Sequence, residues 1–127
     1  MAPNMNSVLV VLAIASLVSV ASAISGTATF YTKLTPSACF EGRNEGTMVA
    51  AASKSIWENG AACGRRYRVR CTGGTTGGVA HPCRGGSVTV KIVDLCLDCQ
   101  GTIDLSRQAF SHIANPVEGK IRIDFTQ

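Results

Sequence analysis

The sequence predicts an all-β domain, a small barrel or sandwich of five or six short strands with two minor helices. Three observations carry this reading. Apolar and polar residues alternate in short runs, most clearly over 66–71, 87–94 and 119–126. Glycine-rich turns punctuate those runs, most densely over 72–78 and 85–86. Helix-like spacing is confined to one turn at 53–60 and a short run after Ser106.

The N-terminus stands apart from this pattern. Val8 to Val20 is almost wholly apolar, shorter than the roughly 20 residues that span a bilayer. It leads into Ala21-Ser22-Ala23, the small-x-small pattern of a signal-peptidase site. Residues 1–23 are expected to be a secretory signal peptide, although residues 1–7 contain no Lys or Arg, and residues 24–127 form the domain. All six cysteines (Cys39, Cys63, Cys71, Cys83, Cys96 and Cys99) fall within it. Export takes them to an oxidising compartment, so three disulfides are expected to staple a modest core. Spacing alone does not choose the pairing.

The signal segment has no ionisable side chain, so the net charge of +4 belongs entirely to the domain. That excess suits an anionic extracellular surface, either an acidic polysaccharide or a lipid headgroup layer. Nucleic acid is excluded as a partner by export and by the lack of any binding motif. The domain sequence contains no second apolar span and no Asn-x-Ser/Thr sequon. A soluble monomer is expected.

Taken in order, Ile24 to Tyr31 is the first strand, rich in Thr and aromatics. Lys33 to Gly46 is a long loop held by Cys39, and Thr47 to Ala52 a short buried strand. Ser53 is placed to cap one helical turn with Ile56 and Trp57 turned inward. Arg66, Arg68 and Arg70 then alternate with Tyr67, Val69 and Cys71, giving a strand with one basic and one buried face. Thr72 to Pro82 is a Gly/Thr-rich loop. Ser87 to Asp94 is the strongest strand, with Val88, Val90, Ile92 and Asp94 expected on one face. A loop closed by Cys96 and Cys99 follows, with Asp104 at the mouth of a helix capped by Ser106 and lined by Ala109, Phe110 and Ile113. Asn115-Pro116 stops the helix, and Gly119 to Thr126 is the last strand, with Ile121, Ile123 and Phe125 inward.

The segments GTATFY (26–31), GTMVAAAS (46–53), NGAACGRRY (59–67), PCRGGSVTVKIVDLC (82–96) and GTIDLSRQAF (101–110) together resemble expansin-like domains. These belong to the family-45-endoglucanase-like group, and the likeness is greatest to the plant natriuretic peptide branch. The resemblance covers 26–125 and implies a six-stranded double-psi β-barrel. It also implies pairing Cys39 with Cys63 and Cys71 with Cys83, which leaves Cys96 with Cys99. The implied role is a secreted, apoplastic, non-enzymatic signal-like protein acting on water and solute balance through a cell-surface receptor or membrane protein. Wall-polysaccharide binding or loosening is the alternative, and an atypical glycan-cleaving enzyme the second. Expansins carry a further polysaccharide-binding domain after the barrel, and this sequence continues no further than Gln127, which weighs against loosening.

By the same likeness, Asp104 occupies the position of the family's general acid. Inverting hydrolysis needs a second carboxylate roughly 6.5–9.5 Å away as base. The end of the first strand, where that base is expected, reads Tyr31-Thr32-Lys33-Leu34. Asp104, Asp94, Tyr31 and Thr29 are therefore expected to line a binding groove rather than a hydrolytic centre. Asp94 is expected mainly to accept backbone N–H bonds in its loop. Cys96-x-x-Cys99 is expected to be structural, since no helix follows it as a redox motif requires. No metal site and no cofactor are expected: a single CxxC pair does not make a zinc site.

Overall fold

A computed structural model describes residues 22–75 and 78–127. Six strands close into a barrel: β1 (Ile24–Tyr31), β2 (Val49–Ser53), β3 (Arg66–Gly74), β4 (Val88–Cys96), β5 (Ile103–Ser106) and β6 (Ile121–Thr126). Around the ring the order is β1-β5-β2-β4-β3-β6. β1 runs parallel to β5 and β2 parallel to β4, while the remaining neighbours are antiparallel. This is the double-psi β-barrel that the sequence implied. The expected signal peptide, apart from Ser22 and Ala23, lies outside the described residues.

Alternation decides which side of each strand is buried. Ala28, Ala50, Ala52, Val69, Val90, Ile92, Ile103, Leu105, Ile121, Ile123 and Phe125 point into the barrel and are at most 1% exposed. The ring is narrow, so its interior alternates alanines with branched side chains. Tyr67 meets Phe125 edge-on at 5.5 Å between ring centroids. Two short helices plug the flanks: α1 (Lys54–Trp57) and α2 (Arg107–Ile113). α2 buries Ala109, Phe110 and Ile113, and Phe110 packs on Phe30 at 5.0 Å. Its cap is the expected one, the Ser106 hydroxyl accepting from the Ala109 N–H at 3.0 Å. Ser53 takes the expected cap position of α1 without a side-chain capping bond. Asn115-Pro116 ends α2 and opens a 3₁₀ turn.

Three expectations change. Ile103–Ser106 is a strand, not a loop running into a helix, so Asp104 sits mid-strand between β1 and β2. Four residues are too few to show periodicity on their own, and pairing on both sides supplies what the local pattern lacks. Second, β4 carries a bulge. Ala50 pairs Ile92 and Ala51 pairs Asp94, so Val93 is the extra residue. The phase flips there, and Asp94 leaves the face of Val88, Val90 and Ile92.

Third, only two of the expected disulfides are formed. Cys39–Cys63 and Cys71–Cys83 are bonded. Cys96 and Cys99 are free thiols. The Cys99 Sγ is turned toward the Cys96 and Gly101 carbonyls, at 3.5 and 3.6 Å.

Candidate functional site

Four registered strands build the site on the outside of the barrel. Across β4, β2, β5 and β1 run Asp94, Ala51, Asp104 and Thr29, each the partner of the next. Their neighbours Ala50, Leu105 and Ala28 face inward, so this row faces out. Ala51 presents only a methyl between the two carboxylates, which leaves a shallow trough. Tyr31 lies two residues beyond Thr29 on the same face of β1. The structure thus brings together all four predicted groove residues. Asp94 reaches the row only because of the Val93 bulge.

One wall of the trough is the segment 32–48, which crosses over β2 and β4 and covers Val49 and Val93. It is tied down by the Cys39–Cys63 bond, by the Cys39 N–H to the Val93 carbonyl at 2.9 Å, and by the Ala38 N–H to Asp94 Oδ1 at 2.9 Å. Asp94 Oδ1 also accepts from the Leu95 N–H at 2.9 Å. Through these bonds Asp94 anchors the wall. Its Cα lies two strand spacings, about 9.5 Å, from that of Asp104.

Asp104 is the chemically distinctive group. The Thr29 hydroxyl donates to its Oδ1 at 2.9 Å. Burial pushes its carboxyl above the ordinary carboxylate value, while Thr29 and the Cys96 thiol pull the other way and Asp94 adds to the rise. The Tyr31 phenol is pushed up by burial, then by Asp94, Asp104 and Cys96. Its hydroxyl is enclosed and has no hydrogen-bond partner among the described residues. Cys96, two residues beyond Asp94, completes the cluster, its thiol pushed up to about 12 by burial and then by Cys99. Sequence reading missed Cys96 and Ala51. The Cys96 side chain was assigned to a disulfide, and an alanine carries no chemical signal of its own.

Separate hollows lie near the two ends of this stretch of β1. A hollow of about 350 Å³ lies at the Thr27 end, lined by Ser53, Lys54, Cys96 and Gln100 among others. Another of about 320 Å³ lies at the Thr32 end, lined by Arg107, Gln108 and Ser111. Thr27 to Thr32 spans about 16 Å of extended chain, enough for a short oligosaccharide.

A family model described as "Lytic transglycolase" matches residues 49–125. The EG45-like domain containing protein of Citrus jambhiri is 59% identical over 122 residues, covering 94% of this chain and 93% of that protein. The chain belongs to the EG45-like family of expansin-like double-psi barrels. EG45-like domain containing protein 2 of Arabidopsis thaliana is 45% identical over 87% of the chain and 85% of its own length. Among solved structures, the apo expansin of Clavibacter michiganensis superposes with a TM-score of 0.64 at 25% identity. The match covers 84% of this chain, which spans half the length of that expansin chain. A point mutant of the same expansin, in complex with cellohexaose, matches with a TM-score of 0.62 at 24% identity.

The remaining predicted residues lie elsewhere. Arg66, Arg68 and Arg70 are exposed on β3, on the far side of the ring from β5, with Tyr67, Val69 and Cys71 buried behind them. No group of residues that could hold a metal ion occurs among the described residues. No described helix is long and apolar enough to cross a membrane.

Proposed function

We propose that this EG45-like protein is a secreted cell-wall protein that holds a polysaccharide chain in the Asp104 trough without hydrolysing it. The observation that carries the reading is the row Thr29, Asp104, Ala51, Asp94. It offers a half-buried acid and a hydroxyl beside the small, buried side chain of Ala51. Such a row suits hydroxyl-rich ligands, which need few but well-placed polar partners. The cellohexaose in the complex of the Clavibacter expansin mutant supports a glucan as the ligand class. Against hydrolysis stands the shortage of a free second carboxylate. The other acid of the row, Asp94, is engaged in structure, one of its oxygens already accepting two backbone N–H bonds.

Isothermal titration of the purified secreted protein with cellohexaose tests the reading. Binding should be detectable, and Asp104→Ala should weaken it about tenfold, the value of one hydrogen bond to a charged group. No binding to cellohexaose or to any neutral wall glucan would defeat the proposal. Release of soluble sugar, abolished by Asp104→Asn, would reassign the protein as a one-carboxylate lytic enzyme.

A second reading is a signal-like protein acting on water and solute balance through a cell-surface receptor, the role that the likeness of residues 26–125 to plant natriuretic peptides implies. Swelling of plant protoplasts on addition of the protein, undiminished in Asp104→Ala, would favour it.

A further inference from the structure

The side of the barrel opposite the trough carries a different chemistry. In the ring, β3 stands across from β5 and β6 across from β2. On the outer face of β3, Arg66, Arg68 and Arg70 are all exposed, each separated from the next by about 6.7 Å of strand. Arg122, exposed on neighbouring β6, pairs with Gly73 of the same β3 and extends the row. Asp124 is the one acidic side chain on the outer faces of β3 and β6, so the four arginines leave this side an excess of three positive charges. The whole chain has an excess of four. Asp104 lies across the ring on β5, and Asp94 on β4, which pairs with β3. The arginine row is therefore a local basic patch.

The row is also shaped. A hollow of about 320 Å³ lies against it, lined by Arg68, Arg70, Gly86, Ser87, Asp124 and Thr126, with Ala23 of the expected signal peptide at its edge. The Arg68 Nε donates to Ser87 Oγ at 3.1 Å, which sets that guanidinium at the rim with its two terminal nitrogens turned to other partners. Arg70 bonds Asp124 through Nη2 at 3.2 Å and leaves 62% of its side chain exposed. Arg66 forms no ion pair among the described residues.

The geometry points to this face as a second polysaccharide-binding surface, specific for a linear polymer of uronic acids. Its carboxylates would lie along Arg66, Arg68, Arg70 and Arg122. Each planar guanidinium matches a carboxylate in a fork, and evenly spaced cations fit evenly spaced anions on an extended chain. A lipid surface is disfavoured because peripheral attachment combines charge with apolar insertion. The large exposed apolar residues Ile24, Val79, Leu97 and Val117 are not among the side chains of the arginine row. With the trough on the other side, one molecule could hold an acidic and a neutral chain together.

Binding of the purified protein to polygalacturonate, to its fully methyl-esterified form and to anionic phosphatidylserine vesicles tests this. Polygalacturonate should be retained and lost progressively with salt, while the esterified polymer should not bind. The triple variant Arg66→Gln, Arg68→Gln, Arg70→Gln should bind about tenfold more weakly, the sum of three exposed ion pairs. Asp124→Asn removes the opposing charge and frees Arg70, so it should bind about threefold more tightly, a gain that misfolding cannot mimic. Asp104→Ala should leave polygalacturonate binding unchanged, which separates this surface from the trough. Equal retention of the esterified polymer, preference for the vesicles, or no gain in Asp124→Asn would each overturn the proposal.

Discussion

Asp104 carries two opposed influences within one carboxyl group. Burial favours its neutral form, and the Thr29 hydroxyl favours the charged one. The net direction is upward, so the folded chain holds this proton more tightly than the unfolded chain does. Between the two pKa values the native state binds more protons, and stability falls as pH rises through that window. Asp104→Asn removes the titration. Its melting temperature should exceed that of the wild type at neutral pH, and the advantage should vanish on acidification below the ordinary carboxylate value. Melting curves across pH 3–7, roughly the range around a raised carboxylate, provide the check. A difference independent of pH would exclude Asp104 as the titrating group.

Tyr31 makes a complementary case. Its hydroxyl is enclosed without a partner among the described residues, and an unsatisfied buried polar atom costs on the order of 1–3 kcal/mol. Tyr31→Phe should therefore be neutral or stabilising by about 1 kcal/mol in urea unfolding. A loss of similar size would mean that a bound water satisfies the hydroxyl.

At the scale of elements, the junction of β5 and α2 couples the trough to the core. Ser106 is fully buried, donates to the Thr47 carbonyl at 2.5 Å and accepts from the Ala109 N–H. One hydroxyl therefore fixes the start of the helix, the end of the strand bearing Asp104 and the approach to β2. Ser106→Ala should cost about 2 kcal/mol in chemical unfolding, the upper end for a lost cap, because a second buried partner is orphaned as well. The bulge at Val93 acts at the same scale. It moves Asp94 to the outer face and offers the Val93 carbonyl to the Cys39 N–H, so the bulge sets both hydrogen-bonded anchors of the 32–48 wall, beside the Cys39–Cys63 bond.

For the whole molecule, a small barrel has limited surface to bury, and covalent links supplement it. The Cys39–Cys63 bond closes a separation of 24 residues and holds the trough wall to the segment leading into β3. Replacing both cysteines by alanine should cost about 3 kcal/mol by the loop-entropy model. It should also weaken cellohexaose binding, since the wall loses its tether. Denaturant midpoints and titration of the same double variant test the two effects separately.

Much of this was legible in the sequence because it is local. The strand at Ile24–Tyr31, the inward set on β6, the Ser106 cap and the basic row of β3 follow from period-two alternation and capping chemistry, which act over a few residues. Asp104, Asp94, Tyr31 and Thr29 were expected as groove residues from the family likeness. Their assembly into one row was not, because it depends on pairing among strands distant in the chain. β5 is too short to declare itself and becomes a strand only between β1 and β2. The bulge that reverses Asp94 appears only where β4 meets β2. Likewise, Cys96 and Cys99 have the spacing of a bonded pair, and it is the three-dimensional path of their loop that turns Cys99 toward carbonyls and leaves Cys96 beside Asp104. The sequence by itself determined which residues are buried, where most strands lie and that the charge is basic. The tertiary structure decided which polar residues share a face and that the arginine row stands across the ring from Asp104, because strand order in a closed barrel is set by non-local pairing.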